Sequence, residues 1–450
     1  MIDVDLLVIG WGKAGKTLAG RWAKAGHTVA LVERSPQMYG GTCINVACVP
    51  TKDLVTSAES RRDSDEPQQF FTTAVASRDE LIDKLNAANH AMLADDPHII
   101  LIDGTARFVA EHTVEVTTAT GTEQVTAKQI VIGTGTTPRR PEIPGIDSPR
   151  VYDSTTIQHA DPFPARLAVV GAGFIGLEFA SMFAAFGAQV ILLNSAERIL
   201  PSAEPEVASE VARTLTDRGV TILDKVRVDA IEESDNHVTV IAGGTRVEAD
   251  AVLVATGRTP VTADLCLASA GIEVDERGFI VVDDQLRTSV KDIFAVGDVN
   301  GGPQFTYISL DDNRIVWDQL TGTGSRRRSD RVAVPNTTFI TPPLSQVGLT
   351  EAQARKAGHQ VLVACKPVAK IAAMPRPKIL GETHGIIKFV VDATDRRILG
   401  ATLFCTDSQE LVNLVALAMR AGLTVDVLRD GIWTHPSSTE ALNEVLADLA

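Results

Sequence analysis

The sequence predicts an α/β protein built from two copies of a strand–glycine turn–helix–strand unit, with an α+β region at the C-terminus. Three observations carry this. Residues 6–9 form an apolar run that ends in Gly10-Trp11-Gly12-Lys13-Ala14-Gly15, then an amphipathic segment to about residue 25 and a strand at 27–32 closed by Glu33. The same pattern returns at 167–176, with Gly171, Gly173 and Gly176, a helical segment, and a strand at 190–193 closed by Asn194. From Asn336 onward, strands (385–391) and a helix (408–421) follow without that pattern.

Each element has a physical reason. Glycines after a strand permit a tight turn and close backbone approach, and the following helix N-terminus faces a pyrophosphate. Glu33 lies 23 residues past Gly10, near the spacing at which an acid holds a ribose hydroxyl, and Asn194 lies the same 23 past Gly171. One such unit is weak evidence; two with matched spacing imply two dinucleotides. Gly10–Thr17 also spells G-x-x-x-x-G-K-T, a phosphate loop, but the Glu33 spacing favours the dinucleotide. Asn194 does not repel a 2′-phosphate and Arg198 is near it, which leans the second unit towards NADPH over NADH.

Between the units, residues 57–69 read as a polar loop or helix surface and 78–93 as a helix. Short strands follow at 99–102, 106–109 and 114–117, and a buried strand at 129–132 runs into Thr134-Gly135. Pro138, Pro141 and Pro144-Gly145 mark a boundary. A strand at 251–254 ends at Gly257, and one at 293–296 ends in Gly297-Asp298, where an Asp can reach a cofactor hydroxyl. Residues 322–331, with Arg326-Arg327-Arg328, read as a solvated linker.

The 450 residues imply several domains, and 44% apolar with 22% charged residues is a globular composition. Net charge −15 argues against nucleic acid and anionic membrane surfaces as partners. The start lacks a basic, long apolar leader and no stretch reaches the ~20 apolar residues of a span, so a cytoplasmic protein is expected. Five cysteines fit a reducing compartment, where a disulfide is usually catalytic or redox-sensing. Cys266, Cys365 and Cys405 read as buried apolar residues. No tight metal site is visible, so a metal is expected as a substrate.

Cys43 and Cys48 stand apart. They follow Gly40-Gly41 and precede Pro50-Thr51-Lys52. On a straight helix residues five apart point roughly 140° from each other with Cα atoms about 8–9 Å apart. A disulfide wants about 7 Å or less. The two can bridge only if the first turn is distorted, which the glycine pair and Pro50 make feasible.

The stretch GGTCINVACVPTK, the two glycine units, the Gly-Asp segment and the terminal His435-Pro436…Glu440 together resemble the FAD-dependent pyridine nucleotide–disulfide oxidoreductases, a family that includes dihydrolipoamide dehydrogenase, glutathione reductase and mercuric reductase. MYGGTCIN, GKAGKTLA and GGPQFTYISLDDNRIV are similar to the branch associated with bacterial reactive-chlorine resistance and copper(II) reduction. The resemblance implies an FAD domain of residues 1–145 and 266–330, an NAD(P) domain of 146–265 and a dimerisation domain of 331–450. It implies FAD on Gly10, Gly12, Gly15 and Glu33, with Asp298 on the flavin side, and NADPH or NADH on Gly171, Gly173 and Gly176. Further cofactor contacts are expected at Ala14, Gly41, Thr42, Lys52, Thr134, Gly135, Ile175, Asn194, Gly257 and Gly297. Lys52 and Glu178 match the family's ion pair beside the flavin.

The implied chemistry passes electrons from NAD(P)H through FAD to a Cys43–Cys48 disulfide, with Cys48 on the flavin side and Cys43 meeting the acceptor. His435, oriented by Glu440, would act as acid/base from the partner subunit of a homodimer. The expected acceptor is Cu(II), with an organic disulfide as the alternative and a thiol redox sensor as the reading of another class. The sequence departs from the family pattern at Ala47, where glycine is usual, and at Trp433, where dihydrolipoamide dehydrogenase carries histidine. No cysteine follows Glu440, which argues against efficient Hg(II) handling.

Overall fold

A computed structural model describes residues 1–449. They form two compact units. One comprises Met1–Leu54, Thr73–Arg139 and Gly257–Arg331; the other comprises Val55–Thr72, Arg140–Thr256 and the chain from Val332 on.

The first unit is organised on β1 (Ile2–Ile9), with β2 (Val29–Glu33), β3 (Ile99–Asp103), β4 (Thr105–Ala110), β5 (Thr113–Thr118) and β6 (Gly121–Ile132) in the sheet order β3-β2-β1-β6-β5-β4. Strands β3, β2, β1 and β6 are parallel, β4 and β5 are antiparallel, and Ile293–Ala295 adds parallel to β6. Alternate residues serve opposite faces. Leu7, Ile9, Ala30, Val32, Ile130 and Ile132 pack into one cluster; Leu6, Val8, Val29, Leu31 and Val131 pack into another. Burial on both faces is why β1 and β2 are apolar throughout rather than alternating. The second cluster is covered by α1 (Lys13–Lys24) and the helix Thr306–Thr321, where Trp22 meets Trp317 edge-on at 5.9 Å and the Arg21 guanidinium lies 3.9 Å over the Trp317 ring. Between β2 and β3 the chain forms α2 (Thr42–Asn45), α3 (Cys48–Ser60) and α4 (Pro67–Ala94).

The second unit contains a parallel sheet in the order Val220–Leu223, Gln189–Leu193, Arg166–Val170, Ala251–Val254 and Val151–Tyr152. Helix α5 (Phe174–Ala185) follows its central strand. A three-stranded antiparallel meander spans Val228–Glu233, Val238–Ala242 and Thr245–Ala249. The C-terminal part is a five-stranded antiparallel sheet against the helix Ser408–Arg420, whose Leu411, Val412 and Val415 enter the core with Ile387, Phe389 and Leu403.

Two local expectations are corrected, the start of α4 and the burial of Cys266 and Cys365. Helix α4 starts at Pro67, not 78, because Pro67 suits a first turn and the Glu66 carboxylate caps it, accepting from Gln68 N (3.2 Å) and Gln69 N (2.7 Å). With α3 reaching Ser60 and α4 starting at Pro67, the polar stretch at 57–69 comprises two helix ends and the turn between them, within the loop-or-helix-surface reading. Residues 322–331 are mostly exposed, as a solvated linker would be, and are anchored as well: Arg326 and Arg331 pair with Asp311, Arg331 also pairs with Asp312, and Ser329 bonds Asp284. Cys405 is buried as expected, but Cys266 and Cys365 are exposed. Cys266 sits in a left-handed turn, and Cys365 lies on the sheet-edge strand Val361–Pro367.

Lys388 ties the two parts of the second unit together. Its ammonium is buried and lies 3.0 Å from Glu204, 2.5 Å from Glu206 and 2.9 Å from Glu351. Burial opposes its charge, yet the carboxylates raise its pKa well above the ordinary lysine range. The Lys388 hydrogen bond lowers Glu351; at Glu206 burial is the largest influence and raises the pKa, but the Lys388 hydrogen bond, a backbone donor and the Lys388 charge together lower it. Lys388→Met leaves three carboxylates without their cation and is expected to cost roughly 3 kcal/mol in denaturant unfolding. Because both glutamates have folded pKa values below their unfolded ones, their contribution is present above about pH 4.5 and is lost as pH falls through the folded values. The stability deficit of Lys388→Met should therefore shrink on acidification, and a deficit independent of pH would contradict this account.

Candidate functional site

The first glycine turn is shaped by close approach. Gly10 has φ +98°, its N–H donates to Val32 O (2.8 Å), and a Cβ there would lie 2.5 Å from Gly133 O. A Cβ on Gly15 would lie 2.7 Å from Val8 Cγ1, so α1 packs directly on β1. Gly12 caps α1 with extended backbone and no side-chain cap, leaving the helix N-terminus to a ligand; Ala14 N is taken by Ser309 Oγ (3.1 Å). Glu33 ends β2, buried, and accepts from Trp11 N (3.0 Å) and Ser35 N (3.3 Å). Burial raises its pKa against those backbone donors. Beside it, Gly10, Arg34, Thr105 and Thr134 line a cleft.

On the same unit, Thr134 Oγ1 donates to Val261 O (2.7 Å), and Gly135 has φ +70°. Asp298 accepts from Thr136 Oγ1 (3.0 Å), which itself accepts from Arg258 Nε (2.7 Å). Burial raises the Asp298 pKa, and Thr136 and Arg258 oppose it. Gly297, at φ +69°, donates its N–H to Asp312 (2.6 Å). The expected first-unit residues thus gather around the C-terminal ends of β1, β2 and β6. A glycine cradle, an uncapped helix N-terminus and a half-buried carboxylate fit an adenine dinucleotide such as FAD.

The cysteine stretch lies beside this cradle. Gly41 (φ +81°) backs onto Gly12, and a Cβ there would lie 2.8 Å from Gly12 Cα. Thr42 opens α2. Val46 N and then Ala47 N both donate to Thr42 O, at 3.0 and 2.9 Å. The second bond spans five residues, so the turn is widened as in a π-bulge. Residues five apart then face the same way, which a regular helix forbids. Val46 (φ −139°, ψ −4°) breaks the helix, and α3 starts at Cys48. Asn45 braces the turn by donating to Tyr39 O (3.0 Å) and Gly41 O (2.9 Å), and Asn86 Nδ2 donates to Asn45 Oδ1 (3.0 Å).

Cys43 and Cys48 are hydrogen-bonded thiols in the structure. The Cys48 hydrogen bond, burial and the Cys48 charge raise the Cys43 pKa; Thr306 and Lys16 pull it down. Thr306 Oγ1 lies 3.8 Å from Cys48 Sγ. Neither Thr306 nor Lys16 was singled out from sequence as a neighbour of the thiols. Thr306 lay in a recognised stretch without a role, and Lys16 registered only as the phosphate-loop lysine. Lys52 is half-buried on α3.

The second glycine turn repeats the first. Gly171 has φ +104°, a Cβ there would lie 2.7 Å from Ala255 O, and a Cβ on Gly176 would collide with Gly171 O. Gly173 caps α5 with no side-chain cap, and Ile175 lies in its first turn. The buried Thr256 Oγ1 has no protein partner and lies next to Gly257 (φ +124°), which suits a bound nucleotide. Asn194 is buried and donates to Asp224 Oδ1 (2.6 Å). Arg198 is spent on the carbonyls of Leu200, Pro201 and Ala203. The lean to NADPH therefore loses both supports: a carboxylate sits beside Asn194 after all, and Arg198 is committed to its own loop. Glu178 is buried on α5 and accepts from Phe339 N (2.8 Å).

At the C-terminal end, His435 Nδ1 lies 2.9 Å from Glu440 Oε1, and Glu440 Oε2 accepts from Ser437 N (2.8 Å). The imidazole is mostly exposed, and its hydrogen bond lowers the Glu440 pKa.

Residues 4–312 match the model of the pyridine nucleotide-disulphide oxidoreductases, and residues 334–446 match the dimerisation domain of that family. A probable pyridine nucleotide-disulfide oxidoreductase of Escherichia coli (strain K12), RclA, is 46% identical over 448 residues, 99% of each chain. Mercuric reductase of Bacillus cereus is 33% identical over 98% of this chain and 70% of its own. The solved Cu(II) complex of the HOCl-induced flavoprotein disulfide reductase RclA from Escherichia coli superposes with TM-score 0.96 at 45% identity, covering both chains fully.

Gly41→Ala forces a Cβ into backbone at positive φ, whereas a Cβ on Gly12 meets only Gly133 O at 3.5 Å. Gly41→Ala is therefore expected to lower thermal stability by at least ~1 kcal/mol more than Gly12→Ala. Equal unfolding midpoints would contradict the packing of the cysteine loop on the glycine turn.

Proposed function

The chain belongs to the pyridine nucleotide-disulphide oxidoreductase family, and from that premise we propose that it carries electrons from NADH through FAD to Cys43 and Cys48 and delivers them to Cu(II). It is an oxidoreductase that uses FAD and NAD(P)H. The single observation that carries the redox reading is the widened turn from Thr42 to Ala47, which brings two sulfurs together where a regular helix separates them.

FAD, when bound, takes a hydride's electron pair from the nicotinamide and passes it on. The glycine turn at Gly10–Gly15 and Glu33 would hold its nucleotide half, Asp298 would accept from its hydroxyls, and Lys52 would supply positive charge to its reduced form. Gly171, Gly173 and Gly176 bind the nicotinamide nucleotide. Opening the Cys43–Cys48 bond takes up two electrons and two protons. Closing it releases them, enough to reduce two Cu(II) to Cu(I). Cys48, beside Thr306, is the flavin-side sulfur, and Cys43 meets the acceptor.

Copper is favoured because the relative that covers the whole chain was solved as a Cu(II) complex. The protein acts as a homodimer in the cytoplasm, with His435 of a second copy, aligned by Glu440, handling the proton. The dimerisation-domain match supports this, as do the exposed apolar residues Leu417, Val427 and Ile432 of the C-terminal region.

Dithionite titration of the wild-type holoprotein should consume four electrons per chain and develop a long-wavelength thiolate–flavin band; Cys48→Ser should consume two and show no band. Uptake of two electrons by the wild type would refute the disulfide. NADH oxidation should depend on Cu(II), fall at least about 100-fold in Cys43→Ser, and show a lower KM for NADH than for NADPH. Brisk turnover of a small disulfide without Cu(II) turnover would refute the copper assignment.

A further inference from the structure

Tyr39 stands at the entry to the cysteine turn, four residues before Cys43, and is gripped from two sides. On one side, one face of α4 meets the loop through residues three and four apart. Asn86 Nδ2 donates to Pro36 O (3.2 Å) and Asn45 Oδ1 (3.0 Å). Asn89 Cγ lies 2.9 Å from where a Cβ on Gly40 would stand, and the His90 ring lies 4.7 Å from the Tyr39 ring. On the other side, the Tyr39 ring packs on Trp11 of the glycine turn, 4.6 Å between centroids. Its hydroxyl donates to the carboxylate of Asp103, the last residue of β3, whose oxygens lie at 2.7 and 2.9 Å. Burial, and then the hydrogen bond to Asp103, raise the Tyr39 pKa well above its ordinary value, so the phenol stays protonated and donates.

The backbone of Tyr39 carries this anchorage into the turn. Its carbonyl accepts from Asn45 Nδ2 (3.0 Å), the same amide that reaches Gly41 O (2.9 Å) and braces the widened turn. A chain of contacts therefore runs from Asp103 through the Tyr39 hydroxyl and backbone to Asn45, and so to the turn from Thr42 to Ala47. Gly40 and Gly41, at φ +99° and +81°, are the freely turning link that this anchor restrains. Gly104, Thr105 and Ala106, which follow Asp103 in the chain, line the nucleotide cleft, so the anchor of the cysteine turn adjoins that cleft.

We propose that Tyr39 is a positioning residue: held by Asp103, it keeps the entry to the cysteine turn in place, so that the opened sulfur pair stays poised to close again and hand its electrons to the acceptor. This rests on the reading of Cys43 and Cys48 as the redox pair. Closing turns two thiols into one S–S bond; two electrons go to two Cu(II) and two protons to solvent. In the closed form the S–S bond itself holds the turn. In the opened form non-covalent contacts hold it, and the Tyr39–Asp103 hydrogen bond is one of them. That bond therefore removes freedom chiefly from the opened pair and favours closure.

The test is the thiol–disulfide equilibrium of the holoenzyme in anaerobic dithiothreitol buffers graded from oxidised to reduced. It is read as the fraction of Cys43 and Cys48 protected from iodoacetamide, with sites assigned by mass spectrometry. Tyr39→Phe keeps the ring and deletes the hydroxyl. Its pair should be half-opened at a reduced-to-oxidised buffer ratio at least about three-fold lower than wild type, a potential less negative by about 14 mV. Asp103→Ala should give the same shift, and the double variant no more than either alone. A merely structural contact would lower the unfolding midpoint equally in oxidised and reduced protein and leave the buffer ratio unchanged. A ratio identical in wild type and Tyr39→Phe overturns the proposal, as do additive shifts in the double variant. If Tyr39→Phe does not yield folded holoenzyme, Asp103→Ala carries the comparison, and an unchanged ratio there overturns the proposal. A wild-type enzyme in which no buffer protects the two cysteines together overturns the redox reading beneath it as well.

Discussion

One hydrogen bond, Ala47 N to Thr42 O, sets the chemistry of this molecule. A regular helix advances about 100° per residue and turns side chains five apart away from each other. Closing the turn over five residues brings them to the same side. The distortion is held from outside: Gly41 lets the chain turn in against Gly12, and Asn45 spans back to the carbonyls before the helix. Ala47, a departure from the family's glycine, accommodates this turn at negative φ, since it is absent from the residues with positive φ.

The glycine turn and the cysteine turn are packed as one object. Gly41 touches Gly12, Gly40 lies against Asn89, which accepts from Lys16 of α1, and Thr306 and Ser309 of one helix meet Cys48 and Ala14. A nucleotide-binding turn and a redox turn that share backbone contacts cannot move independently. That rigidity matters for electron transfer, where the distance between donor and sulfur must be kept.

Buried charge is handled in more than one way. Glu33 and Asp298 are held by backbone or hydroxyl donors, and burial pushes both carboxyls up. Such carboxylates remain available to accept from a ligand's hydroxyls. Lys388 is instead surrounded by three carboxylates and is structural. Lys16 is buried with its ammonium on the neutral Asn89 Oδ1.

Much of the fold was legible because its signals are local. Strand, glycine turn, helix and strand follow from apolar runs and from glycines at positions of positive φ, and the repeat at Gly171 is visible without any structure. The cysteine spacing even announced a distorted turn. What escaped was decided by groups distant in sequence. Glu66 extended α4 backwards, Asp311 and Asp284 pinned a stretch that reads as a linker, and Asp224, 30 residues on, reached Asn194. The cysteines at 266 and 365 look like the one at 405 in sequence, but a turn and a sheet edge expose the first two. The sequence by itself determined which residues form the two nucleotide turns and the thiol pair, because periodicity, glycine and spacing act over a few residues. Only the tertiary structure decided which polar partners meet, because they are chosen by proximity in space, across 30 residues for Asn194 and Asp224 and 20 for Arg331 and Asp311, and chain order does not encode that distance.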